Sequence, residues 1–317
     1  MAAQSRAHSF DDPSVPHPAR RYNYWLGGRE NYRVDRASGD AIATAMPSIR
    51  VAIEENRAFL RRVVRFMVDA GIRQFIDIGP GIPAPDCTHE VAQAIAPETR
   101  VVYVDNDPVV IAYSRALLRG SAIPETGADD GSIVDVPLPP LDGEPPKIAY
   151  EHGYEDEGTD EDEAGGPRRG LIGHVLADVC EADRILSNLE LRTVIDFNQP
   201  VGLLIVAVTH FCTDDEALFP AVAQLIDALP PASLVAFSQA APDYVDPRVV
   251  TRIINAHASH KSPFRWRYTF DCARFATGLE FVEPGVVSLE TWHAEDEPQP
   301  RPASADVAMC AWVGRKP

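Results

Sequence analysis

Three acidic residues, each at the end of an apolar run, carry the first chemistry in this chain. Asp77 stands in Asp77-Ile78-Gly79-Pro80-Gly81-Ile82-Pro83, where small residues after a strand-like run let the backbone come close to a ligand. Asp105 closes the run RVVYVD. A carboxylate there can accept hydrogen bonds from both hydroxyls of a ribose. Asp178 follows Ala177 at the end of a third run, where a carboxylate can accept from the exocyclic amine of an adenine while the amide of Val179 donates to the ring. Residues 79–84 fit Gly-x-Gly-x-x-Ala, the spacing of a dinucleotide fingerprint. Pro80, Pro83 and Pro85 argue against that reading, because they remove backbone N–H donors that a pyrophosphate needs at a helix N-terminus. A carboxylate such as Asp77 suits a cationic ligand better.

These residues need a frame that brings strand ends together. Short β-like runs at 73–78, 100–105, 171–176, 201–208 and 232–238 alternate with helical patterns at 87–96, 108–118, 181–190 and 214–229. That alternation predicts βαβ units and a mostly parallel sheet. The runs are apolar almost throughout, as expected for strands covered by helices on both faces. Two further runs, near Phe281 and at 306–313, fit an antiparallel pair at one edge. The expected fold is α/β, a Rossmann-like, mostly parallel seven-stranded sheet. An N-terminal helical cover over 17–71 should precede a ligand-binding domain over 72–317. Within the cover, Phe59, Leu60, Val63, Val64 and Met67 repeat at helical spacing over 48–70, with Gly71 placed to end the helix. Residues 17–36 read as a short aromatic and basic helix stopped at Gly27-Gly28.

Composition bounds the partners. The chain has 317 residues with 29 basic and 47 acidic, a net charge of −18. That balance is unsuited to a phosphate backbone, so no nucleic-acid partner is expected. No run approaches the roughly 18 apolar residues of a membrane span, and residues 1–18 lack the apolar core of a signal peptide. The five cysteines, Cys87, Cys180, Cys212, Cys272 and Cys310, are widely spaced. They fit reduced thiols in a cytoplasmic protein rather than a disulfide framework or a metal site. Residues 1–16 read as a disordered lead. Residues 124–168 include EHGYEDEGTDEDE, with eight acidic residues and no Lys or Arg, and read as a disordered acidic insertion.

The segments IDIGPGIP, VVYVDNDP, LADV and LLIVAVTHF, in this order, resemble motifs I to IV of class I methyltransferases. With ARRYNYWLGGRENYRVDR, NRAFLRRVVRF and HEVAQ, the chain resembles the bacterial S-adenosyl methyltransferase family over residues 18–317, apart from the acidic insertion. The stretch Ala84-Pro85-Asp86-Cys87-Thr88 departs from the polar run usual in that family. The resemblance implies S-adenosylmethionine as cofactor and methyl transfer as the reaction. It implies that Asp77, Gly79 and Gly81 surround the methionine part and that Asp105 holds the ribose. It further implies Asn106 beside the adenine, Asp178 and Val179 reading its edge, and Ala207 to His210 near the methyl group.

His210 is then the candidate general base, or else a structural histidine at a strand end; His89 is a helix-cap or packing residue on the same logic. Tyr22 and Tyr24 fold over the cofactor, with Arg20 pairing a carboxylate and Gly28 permitting close approach, or they form a clasp that only packs the N-terminus. Trp266 and Tyr268 line an acceptor pocket or belong to the core. The expected function is methylation of a small molecule. A cofactor-binding sensor without turnover is the alternative, and an NAD-dependent dehydrogenase matches only the glycine spacing.

Overall fold

The computed structural model describes residues 14–117 and 170–317. The acidic insertion and most of the N-terminal lead lie outside the described residues. Three helices come first: α1 (Pro18–Trp25), α2 (Arg33–Ala45) and α3 (Ile49–Asp69). Then β1 (Gln74–Ile78), α4 (Thr88–Ile95), β2 (Arg100–Asp105), α5 (Pro108–Leu117), β3 (Ile172–Leu176), α6 (Ala182–Ser187), α7 (Leu189–Val194), β4 (Gly202–Val206), α8 (Asp215–Asp227) and β5 (Leu234–Ala240) alternate along the chain. After β5 come α9 (Pro247–Ser259), α10 (Thr269–Arg274), β6 (Glu280–Phe281), β7 (Val287–Ser288), α11 (Ser304–Val307) and β8 (Met309–Arg315).

The sheet runs β3-β2-β1-β4-β5-β8-β6, with β7 also paired to β8. Strands β3, β2, β1, β4 and β5 are parallel, and β8 is antiparallel to β5. The sheet has eight strands, one more than the apolar runs predict. The run near Phe281 divides in two because Pro284 and Gly285 turn the chain between β6 and β7, with Gly285 at φ +82°. Both short pieces pair with β8. The sequence direction reverses at β1, whose neighbours are β2 on one side and β4 on the other. A crevice opens at the carboxyl ends of the strands at such a switch point.

Alternation along each strand feeds two cores. Ile76, Ile78, Val102, Val104, Leu203 and Ile205 face α6, α7 and α8. Phe75, Val101, Tyr103, Leu204 and Ala236 face α3 and α4. Helix α3 is long because its stripe of Phe59, Val63, Val64 and Met67 is fully buried on the second face, which outweighs the weak helix propensity of its valines. Gly71, at φ +96°, turns the chain after α3 into β1. Gly202 lets β4 pass Phe75, since a Cβ there would lie 2.6 Å from the ring.

Helices α2 and α9 go beyond the sequence expectation and pack against each other. Gly39 of α2 brings it against the rings of Tyr24 and Trp25. Among the described residues, no helix is long and apolar enough to cross a membrane.

Phe59 is fully buried and meets Trp292 edge to face at 5.7 Å between centroids, tying the cover to the C-terminal segment. Phe59→Ala should destabilise the protein by about 3–5 kcal/mol, the usual cost of such a cavity, measured as a lowered midpoint in urea unfolding.

Candidate functional site

The carboxyl ends of β1 to β4 border a cavity of about 660 Å³, within the size range of small-molecule sites. Asp77, Asp105 and Asp178 all line it. Asp77 is 3% exposed, and its carboxylate accepts a 2.7 Å hydrogen bond from the Thr88 hydroxyl at the start of α4. Burial pushes its carboxyl up to about 6, against the Thr88 hydrogen bond and the Arg57 charge. Asp105 is 6% exposed. It accepts from the amide of Asp107 at 2.9 Å and, across the crevice, from the amide of Gly81 at 3.2 Å. Burial pushes it up to about 7. Asp178 accepts from the Asn106 side-chain amide at 2.7 Å and from the backbone of Cys180 at 2.9 Å.

The glycine turn leaves room where side chains would intrude. Gly79 and Gly81 both have φ +69°. A Cβ on Gly79 would lie 2.4 Å from Cγ2 of Val208. The turn after β1 therefore packs directly on the turn after β4. There Ala207 is held in the left-handed region at φ +56°, a strain of the kind found at functional sites. Its amide donates to the carbonyl and the hydroxyl of Ser238.

Tyr22 also lines the cavity. Its hydroxyl donates to the Ile53 carbonyl at 3.2 Å and accepts from Asn56 at 3.3 Å. The Asn56 carbonyl accepts from Ser238 at 2.8 Å. A hydrogen-bonded chain thus runs from Tyr22 on α1 through Asn56 on α3 and Ser238 on β5 to Ala207.

Several expected site residues sit elsewhere or are occupied. Arg20 borders the cavity, but its guanidinium is bound within the protein: Nε donates to Asp35 at 2.9 Å and Nη2 to the Val15 carbonyl. His17 Nδ1 lies 3.1 Å from Asp107, and burial with the Arg20 and Arg21 charges drops its pKa to about 3. The same nitrogen accepts from the Ala19 amide at 3.4 Å, so the imidazole caps α1 while lying against the Asp107 carboxylate. Tyr24 donates to Asp40 and does not reach the cavity. Gly28 packs on the Asn23 amide, where a Cβ would lie 2.3 Å from Nδ2, so its lack of a side chain serves the turn after α1. Trp266 stacks edge to face on Phe264 beside α9.

His210 lies in a single 3-10 turn, Thr209–Phe211. That turn presents Phe211 to the cavity and buries His210 between the rings of Phe211 and Phe264, at 4.2 and 5.4 Å. Burial and two arginines push its pKa down to about 3. His89 serves packing: its backbone N–H donates to the Tyr103 hydroxyl, and its ring Nδ1 lies 2.8 Å from the same oxygen.

The sequence reading missed Arg57, which lines the cavity and reaches the Pro85 and Asp86 carbonyls at 2.6 and 3.0 Å. A signal existed. Positions 53, 57, 60, 64 and 67 share one face of α3, and Arg57 is the one charge among Ile53, Leu60, Val64 and Met67.

With this geometry in view, the comparisons with known proteins are specific. The family model described as S-adenosyl methyltransferase matches residues 4–131 and 165–317. The chain belongs to this family of S-adenosylmethionine-dependent methyltransferases. Its structure is similar to that of a DUF574 family protein from Streptomyces avermitilis, at 34% identity and TM-score 0.76, covering 96% of this chain and 99% of that one. It is also similar to a candidate methyltransferase from Thermobifida fusca YX, at 28% identity and TM-score 0.74, covering 99% of each chain. No curated protein matches the chain by sequence.

The cavity fits the family's cofactor. Carboxylates at the strand tips are able to face a cationic guest and to accept from hydroxyls, and the glycine turn makes a cradle that a Cβ would fill. The methyltransferase, like others of its family, uses S-adenosylmethionine.

The carboxylates give a testable pH signature. Asp77 rises from 3.8 to about 6 on folding, so the folded state binds more protons and stability falls as pH rises through that window. Asp77→Asn should keep the Thr88 contact and remove the penalty. Its ligand-free Tm should exceed wild type by about 6–12 °C at pH 8, the shift for the roughly 3 kcal/mol that about two pKa units carry in a large domain, and the advantage should vanish near pH 4. Thermal melts across pH check this.

Proposed function

We propose that the methyltransferase modifies a small molecule that enters beside the N-terminal arm, with the cofactor lying across the strand tips. The observation that carries this reading is the convergence of Asp77, Asp105 and Asp178 on one cavity at the switch point of the sheet. Asp105 would hold the ribose hydroxyls. Asp178 and the Val179 amide would read the adenine edge, with Asn106 fixing Asp178 from the side. Asp77, Gly79 and Gly81 would surround the methionine part, and Arg57, a cation lining the cavity, is available to its carboxylate. Ala207 and Val208 would border the methyl group.

When bound, S-adenosylmethionine supplies an electrophilic methyl group for in-line displacement. The protein's part is approach and alignment. The arm excludes water above the site: Val15, Pro18 and Ala19 border the cavity, and His17 and Arg20 hold the arm to Asp35 and Asp107. With His210 walled off, the geometry favours an acceptor that needs no dedicated histidine base. The net charge of −18 argues for a small molecule over a nucleic acid. The bacterial sources of the two similar structures support placing it in the cytoplasm of a bacterium.

Asp105→Ala should weaken binding of S-adenosylhomocysteine by about 1–3 kcal/mol, the cost of leaving buried hydroxyls unpaired, as read by calorimetry; unchanged affinity would refute the ribose role. Incubation with methyl-labelled cofactor and bacterial extract should place label in the low-mass fraction. Label confined to protein or nucleic acid would overturn the acceptor class.

A further inference from the structure

Two of the five cysteines differ from the rest. Cys87, Cys272 and Cys310 are buried, whereas Cys180 and Cys212 are partly exposed; both, like Cys87, line the cavity. Cys180 follows Val179 on the loop beyond β3. Cys212 follows the 3-10 turn beyond β4. Although 32 residues apart, their sulfurs lie 3.1 Å from each other. A disulfide bond of about 2.05 Å requires about 1 Å more approach, within the reach of small side-chain rotations.

We propose that Cys180 and Cys212 are a site of reversible oxidation, at which a peroxide closes a disulfide that clamps the loop after β3 to the turn after β4 and slows exchange of the cofactor. The exchange half of this proposal rests on the cofactor placement above; the disulfide itself does not.

Each cysteine is anchored to the machinery it would constrain. The Cys180 amide donates to Asp178 at 2.9 Å, and the Cys212 carbonyl accepts from Arg267 at 2.8 Å. The Cys180 loop therefore carries the adenine-edge residues, and the Cys212 turn carries the wall beside Val208. A bond between them joins two walls of the cavity past which a ligand would exchange. Cys212 is the better placed nucleophile: the contact between the two sulfurs lowers its pKa against its burial, and the Asp214 backbone and Arg267 act in the same lowering direction. Thiolate character and access select the cysteine that oxidises first.

The chemistry balances with hydrogen peroxide as oxidant. The Cys212 sulfur attacks one peroxide oxygen and the O–O bond breaks. The departing hydroxide leaves as water with the thiol proton, and Cys212 becomes a sulfenic acid. The Cys180 sulfur then attacks that sulfur; the S–S bond forms, the S–O bond breaks, and a second water leaves with the Cys180 proton. The two thiols together lose two electrons and the peroxide gains two. A cellular dithiol reverses the reaction, as expected of a disulfide that works in a reducing compartment.

The test uses the full chain, reduced and then exposed to a small excess of hydrogen peroxide. Peptide mapping without reductant should find a Cys180–Cys212 cross-link, lost on adding dithiothreitol. Dissociation of S-adenosylhomocysteine, followed by stopped flow, should be at least threefold slower in the oxidised protein. Cys180→Ser and Cys212→Ser, each compared with itself before and after peroxide, should show no change in that rate. Sulfinic acid on Cys212 with Cys180 free, or no link between the two, would overturn the pair. A cross-link with less than threefold slowing would overturn the coupling to exchange. Failure of the reduced protein to bind S-adenosylhomocysteine would strike the cofactor placement and the exchange effect, while the mapping would still decide the disulfide.

Discussion

Carboxylates held out of water at the tips of neighbouring parallel strands set the terms for the rest of this molecule. Burying Asp77 and Asp105 costs free energy in the ligand-free protein, because each is removed from water with hydrogen bonds and, for Asp77, the Arg57 charge in partial return. The fold makes the cost tolerable by aiming N–H and O–H donors at them: the Gly81 and Asp107 amides at Asp105, and the Thr88 hydroxyl at Asp77. The same arrangement leaves carboxyl groups lining the hollow, where a hydroxyl or a cation on a guest would offset part of that cost. The glycine turn after β1 serves both purposes, giving an amide to Asp105 while keeping the floor of the hollow clear.

The N-terminal arm follows from a second set of buried charges. Asp35 at the start of α2 accepts from the backbone of His17 and Tyr32 and from Arg20. One carboxylate thus closes the arm, caps a helix and neutralises a buried guanidinium. Asp107 at the start of α5 meets His17 from the other side. The arm is fastened to the main sheet through electrostatics rather than a large apolar contact, which leaves its inner surface free to shape a pocket.

Much of this was legible in the residues. The parallel strands are continuous apolar runs because helices cover both faces, so their positions were readable to within a residue or two. The three strand-tip aspartates were readable because position along a parallel sheet fixes what they face. Other parts resist sequence reading for physical reasons. Helix α2 has few apolar residues, and its packing depends on Gly39 fitting under Tyr24 and Trp25, which no periodicity reveals. Helix α9 carries a thin stripe, although Asp246-Pro247 marks its start. A three-residue 3-10 turn does not announce which side chain faces the cavity, and here Phe211 does so in place of His210. Arg57 and Asn56 are polar residues in phase with a buried stripe, where an apolar pattern leads the eye past them.

The chain of hydrogen bonds from Tyr22 through Asn56 and Ser238 to Ala207 crosses four separate elements. Grafting a foreign arm onto this sheet, as an engineer seeking a new acceptor would do, exchanges more than a lid. The incoming segment must bring a hydroxyl at the Tyr22 position, or Asn56 loses its partner and the kinked peptide at Ala207 loses its distant brace. The arm and the turn after β4 are therefore coupled through one relay, so a change of arm is also a change in what supports the peptide at Ala207.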